Sequence, residues 1–356
     1  MSIIEAIDKK IGEVRTESLD LSVGEVVSLH DNRELVIQPD FQRLFRWSSE
    51  QQSRLIESLL LELPIPSIFL IERENGVLEL IDGLQRVSSI IHFISAKALG
   101  LEELSLEGCD LIDDLNGQTF KSLPLTLQLR LKRTSIRTVV IKRQSSQFLR
   151  YEMFKRLNTG GSKLSEQDVR NVNARMIGEP GTKFYDFLIR CSQHSSFVMT
   201  TDLLSASAID SRAREELVLR FFALKNYRDK FKGSISDWLD NYLEEILLKD
   251  APFNMATEWV SFEQLFNVLA EKFGSYAFVK YRNGNPLGGV APAYFEAVTG
   301  GALSSLSSLQ KMTSQDATKR LADTVSSDEF RDVTGPGANS LPKLQRRIEL
   351  IAAVFQ

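Results

Sequence analysis

Ile81-Asp82-Gly83-Leu84-Gln85-Arg86 decides the fold of the first half of this chain. Val77 to Ile81 has strand composition, and from about Leu84 to Ala98 the apolar residues recur at helical spacing. Between the two, Gly83 permits a tight turn and a close backbone approach. A helix that starts here points its unpaired N–H groups and the positive end of its dipole at the turn. That is a ready anion site. Arg86 falls in the first helical turn, where its guanidinium can fork onto a phosphate. Asp82 can orient that arginine, accept from a ribose hydroxyl or hold a metal ion. The bland alternative is a corner locked by a structural Asp82–Arg86 pair, and the six residues alone leave both open.

Outward from the corner, the pattern is mixed. Ser22-Val23-Gly24-Glu25 has capping-box spacing and opens a short helix, and Leu35-Val36-Ile37 is a short strand. Trp47-Ser48-Ser49-Glu50 introduces a helix over Gln51 to Leu63, with Leu55, Ile56, Leu59, Leu60 and Leu63 at spacings of three and four. Pro64 and Pro66 end it. Ser67 to Glu72 is a strand that Arg73-Glu74-Asn75-Gly76 turns into the next one. Thr134 to Lys142 is a strand rich in β-branched residues. Ser145 caps a helix reaching Leu157, and Ser165, with Asp168 at its third position, caps another. Gly178-Glu179-Pro180-Gly181 is the best boundary. Beyond it the pattern is helical, interrupted by loops over 282–292 and 335–339. The expected fold is α+β: an N-terminal α/β domain over residues 1–177 and a helical domain over 178–356.

The balance of 43 Lys+Arg against 47 Asp+Glu gives a net charge of -4, which does not advertise a nucleic-acid binder. Cys109 and Cys191 are too few for a disulfide framework. The N-terminus mixes charges and has no apolar leader core, and no apolar run approaches the roughly 18 residues that span a membrane. The cytoplasm is the expected location. The P-loop, the nucleophile elbow and the zinc-protease helix motif are all missing. Cys191-Ser192-Gln193-His194 is half of a zinc spacing without its second pair, so no metal site is expected.

Arg130, Lys132, Arg133, Arg137, Lys142 and Arg143 lie close together with no acid between Arg130 and Arg143. Such clusters give salt-sensitive, sequence-independent phosphate binding. A strand edge protected by charge is the alternative. Phe41, Phe45 and Trp47 can stack on a base or pack under the first long helix. Arg43 and Arg46 beside them can reach an anion while their stems pack. Asp113-Asp114 and Glu215-Glu216 read as solvated faces.

Four segments together resemble the N-terminal domain of GmrSD-type, modification-dependent restriction enzymes. They are Gln42-Arg43 with Trp47, the pair Pro64 and Pro66, the Asp82 to Arg86 corner, and Asn158, Gly160, Gly161, Leu164 and Ser165. The family's signature at the corner is Asp-Gly-Gln-Gln-Arg, and here Leu84 replaces the first Gln. The resemblance runs over about residues 20 to 175, with weaker continuation at Glu216, Arg220 and Asn339 to Arg347. It implies a core similar to ParB and sulfiredoxin, which bind a nucleotide at the equivalent helix start. It also implies nucleotide binding or hydrolysis in a phage-defence system that senses foreign or modified DNA. On that resemblance Asp82, Gly83, Gln85 and Arg86 form the phosphate site, with Asp82, Gln85 and Arg86 as the catalytic candidates. Gln42, Arg43 and Asn158 line the site, although Asn158 with its two glycines also fits a helix C-cap. The implied ligand is a nucleoside triphosphate, with Mg2+ if hydrolysis occurs. DNA and a nuclease protein are the implied partners. No His-Asn-His nuclease motif occurs in the helical half, so cleavage of DNA by this chain alone is not expected. The alternative is a DNA-binding or protein-interaction module without turnover.

Overall fold

The computed structural model describes residues 2–5, 7, 15–37, 45, 47–73, 75–145, 153, 165–249, 251–335 and 337–356. It divides into two compact units, residues 1–163 and 164–356. The helix Glu166–Met176, assigned to the first domain on sequence, packs in the second unit against Glu179–Ser192 and Ile235–Leu248.

The first unit is α+β, as expected. Its strands are β1 (Thr16–Ser22), β2 (Leu35–Val36), β3 (Ile68–Glu72), β4 (Leu78–Asp82) and β5 (Ser135–Ile141). They form one mixed sheet in the order β1-β5-β3-β4-β2. β1 and β5 are antiparallel, β5 and β3 parallel, β3 and β4 antiparallel, and β4 and β2 parallel. The helices are α1 (Val23–Asp31), α2 (Ser49–Leu60), α3 (Leu84–Ser95) and α4 (Leu125–Arg133). α2 starts where the sequence places it, because Ser48 and Gln51 close a reciprocal capping box. α3 buries Val87, Ile90, Ile91 and Phe93 on one side, in a core shared with Ile68, Leu70, Leu80 and Leu131.

Two elements of this unit depart from the sequence reading. β1 was not anticipated: only Leu21 of it is buried, and its partner lies more than a hundred residues on. α4 has no side-chain cap at Pro124, so it carries no start signal, yet it buries Leu131.

The second unit is helical around an aromatic core, in which Phe262 and Phe266 lie 4.4 Å apart and Phe221 and Phe222 pack beside them. Its longer helices include α5 (Glu166–Met176), α6 (Ala213–Asn226), α7 (Ile235–Leu248), α8 (Pro292–Ser304) and α9 (Leu341–Val354). The segment read as a loop after Arg282 instead closes a hairpin of β6 (Lys280–Arg282) and β7 (Asn285–Leu287). No helix among the described residues is long and apolar enough to cross a membrane.

Candidate functional site

The corner forms as its sequence dictates. β4 ends at Asp82, Gly83 takes the left-handed conformation at φ 98°, and α3 begins at Leu84. A Cβ on Gly83 would sit 2.6 Å from Ile68 Cγ2 and 3.2 Å from an Arg86 guanidinium nitrogen. Both the backbone angle and the space therefore require glycine. No side chain caps the first turn of α3.

Arg86 reaches back under this turn. Its guanidinium donates to Asp82 Oδ2 at 2.8 Å and to the Ser67 carbonyl at 3.2 Å. Its Nε is buried without a hydrogen-bond partner among the described residues. The arginine side chain is mostly buried, and the Asp82 side chain keeps a third of its surface open. Gln85 is buried, and its Oε1 accepts the Trp47 N–H at 3.1 Å. That bond ties the start of α3 to the chain entering α2. Leu84 is half-buried and packs against the core of the unit. Gln42, Arg43 and Asn158, expected to line the site, lie outside the described residues.

An uncapped helix start, a turn without a Cβ and one guanidinium, already paired with Asp82, lie together at this corner, the kinds of group that receive an anion. Among the described residues no three His, Cys, Asp or Glu come together to hold a metal ion. Asp82 supplies one carboxylate, which suits a hydrated Mg2+ carried in by phosphates rather than a dedicated cage.

The basic cluster is divided by the fold. Arg130, Lys132 and Arg133 sit in the last turn of α4, where cations complement the helix dipole. Lys132 lies over the Phe120 ring at 5.4 Å. Arg137 faces Asp20 across the β1–β5 pairing at 3.6 Å. Lys142 lies just past the end of β5, between Glu17 at 3.2 Å and Glu72 at 3.3 Å. Bonds to Glu17 and then Glu72 hold its ammonium above the usual lysine range. The Arg143 N–H reaches Glu72 at 3.5 Å. The acids that meet these bases come from β1 and β3, so no stretch of local sequence reveals them.

Arg130, Arg133 and Arg137 line one open cavity of about 810 Å3. Leu59, Leu63, Pro64, Ile65 and Leu129 form its apolar part, and Asp20 and Glu62 also contribute. Pro64 ends the helix before it, as its sequence implies, and the fold also brings it into this cavity.

Elsewhere, burial pushes the Cys191 thiol up to about 12. His194 packs edge-on against Trp259 and Phe262, so the half zinc spacing is part of the core. Glu215 is also buried, which corrects its reading as a solvated face, while Asp113 and Asp114 are exposed.

Residues 23–175 match the family model described as GmrSD restriction endonuclease, N-terminal domain. No curated protein and no solved structure matches the chain.

Proposed function

Residues 23–175 are similar to the N-terminal domain of the GmrSD restriction endonuclease, and from that likeness we propose that the chain is a nucleotide-binding sensor or regulatory component of a DNA-targeting restriction system in phage defence. The nucleotide's phosphates lie on the first turn of α3 over Gly83, and Arg86 meets their charge. The observation that carries this reading is the placement of Arg86. Asp82 and the Ser67 carbonyl aim its guanidinium at a glycine turn where no Cβ is tolerated.

Turnover at this site would rest on positioning and charge stabilisation, because phosphoryl transfer asks little covalent chemistry of the protein. Asp82 would hold the Mg2+ that accompanies the phosphates, and Gln85 would keep the helix start in register through Trp47. DNA contacts the basic residues, with Arg130, Arg133 and Arg137 foremost and Lys132, Lys142 and Arg143 contributing general charge. A separate nuclease protein does the cutting.

A nucleotide-turnover assay with and without DNA tests this reading. Binding of a nucleoside triphosphate that DNA modulates supports it. DNA binding that no nucleotide alters, with no nucleotide affinity, would leave a DNA-binding or interaction module instead. Titration of DNA binding against salt adds a second arm, since phosphate contacts lose affinity steeply as salt rises.

A further inference from the structure

The arginine-lined cavity carries a narrower reading than general contact with DNA. Arg130 and Arg133 lie three residues apart on α4, with Leu129 four before Arg133, so the three share a side of the helix. Arg137 joins them from β5, faced by Asp20 at 3.6 Å. The cavity's volume of about 810 Å3 suits a nucleotide-sized ligand. Part of its lining is apolar and open: Leu63 is 43% exposed and Leu129 37% exposed, with Pro64 beside them.

Leucines and proline gain little from duplex DNA, which offers phosphates outside and keeps its base faces stacked within. An unpaired nucleotide offers both chemistries at once. Its phosphate takes guanidiniums, and its base face packs on apolar side chains or a guanidinium plane. We infer that this cavity takes one unpaired nucleotide of a DNA strand, its phosphate on Arg130 and Arg133 and its base against Leu63, Pro64 and Leu129. The inference rests on the DNA reading above and narrows it to unpaired strand.

The cavity also shares an end of the sheet with the phosphate corner. Phe69 pairs with Asp82 and Ile68 with Thr138, so the end of β4, the start of β3 and the middle of β5 lie together, next to Arg137. Ile65 in the cavity lining is two residues from Ser67, whose carbonyl takes Arg86.

Fluorescence anisotropy on the full chain tests this with a labelled oligothymidylate, the same strand paired with oligoadenylate, and thymidine monophosphate as competitor. The single strand should bind about tenfold tighter than the duplex. Arg130→Glu with Arg133→Glu should abolish both. Leu63→Ser with Leu129→Ser, at exposed positions, should weaken the single strand about tenfold and leave the duplex unchanged. Circular dichroism confirms that each variant is folded, and Leu129→Ser alone serves if the pair melts early. Equal affinity for strand and duplex, or no effect of the leucine variants, overturns the inference and leaves the DNA reading standing. Absence of binding to either oligonucleotide overturns both. Thymidine monophosphate that competes as well as the strand overturns the choice of a strand in favour of a free nucleotide.

Discussion

Arg86 and Asp82 are four residues apart across the β4–α3 corner, and the arginine folds back to donate to the carboxylate at 2.8 Å. The pair does two things at once. It closes the β4–α3 corner, and it holds a guanidinium beneath an uncapped helix start. Arg86→Ala should therefore lower nucleotide affinity by roughly 1.5–3 kcal/mol, the usual worth of a hydrogen bond to a charged group. It should also cost some stability, because the Ser67 carbonyl loses its donor. Titration calorimetry with a nucleotide panel separates the two effects. Unchanged affinity in the folded variant would sink the phosphate role.

Gly83→Ala should be damaging before any ligand is added. An alanine held at φ 98° is strained by roughly 1–2 kcal/mol. Its Cβ would also meet Ile68 Cγ2 at 2.6 Å, so β3 or α3 must shift. A clear drop in melting temperature is the expected outcome. A variant as stable as the parent would show that the turn relaxes freely.

On the resemblance drawn from the sequence, Leu84 takes the place of a glutamine in the Asp82 to Arg86 segment. It is half-buried against the core, and the helix start beside it remains intact. Binding needs the cradle, whereas hydrolysis needs a placed nucleophile, so the two should separate. The chain should bind nucleotide and hydrolyse it slowly, and Leu84→Gln should raise turnover with little change in affinity. Melting temperature and rate are measured on the same variant. A lower melting point with no gain in rate would make Leu84 a packing residue only.

What could be read from sequence follows the range of the forces involved. The corner was legible because strand, glycine and helix are written in consecutive residues. The capping of α2 by Ser48 and of α5 by Ser165 was legible for the same reason, since each cap closes within three residues. β1 was not, because what holds it is β5, and Asp20 meets Arg137 only once the two strands are in register. The 810 Å3 cavity was illegible because its lining comes from β1, the end of α2 and the loop after it, α4 and β5. In the second unit, Arg170 and Arg212 are almost fully buried, a state their composition argues against. Their partners Asp240 and Asp168 lie 70 and 44 residues away.

Alkaline pH should destabilise the protein through its buried thiols. Burial pushes Cys109 from 9.0 up to about 11, with Glu57 and Asp110 adding to the shift, and pushes Cys191 up to about 12. A folded-state value above the unfolded one favours the neutral thiol in the fold. Its contribution is complete below about pH 9 and drains away as pH rises toward 11 and 12. Denaturant midpoints should fall across that window, and Cys191→Ser should flatten the fall. At neutral pH both thiols should react slowly with a disulfide reagent until the chain is unfolded. Rapid labelling of the native protein would contradict their burial.

Glu296 should be a highly sensitive position of the helical unit. Its carboxylate takes Arg220 on one oxygen at 2.6 Å and Arg347 on the other. Arg220 also donates to Glu216 at 2.7 Å, and Glu216 meets Arg170, which is bound to Asp240 at 2.7 Å. Burial opposes charge on Arg220, yet Glu296 and Glu216 outweigh it and hold the guanidinium above the usual arginine range. Both side chains bound to Glu296 are nearly inaccessible, so water cannot replace a lost carboxylate. Glu296→Gln keeps the shape and removes the charge between two buried guanidiniums. The expected loss is about 3–5 kcal/mol, the cost of leaving a buried charge uncompensated. Glu329→Gln removes an exposed partner of Arg346 and should cost under about 1 kcal/mol. Chemical denaturation of the two variants side by side makes the comparison. Equal losses would mean that water reaches Glu296, and the line of charge from Asp240 to Arg347 would then contribute little to stability.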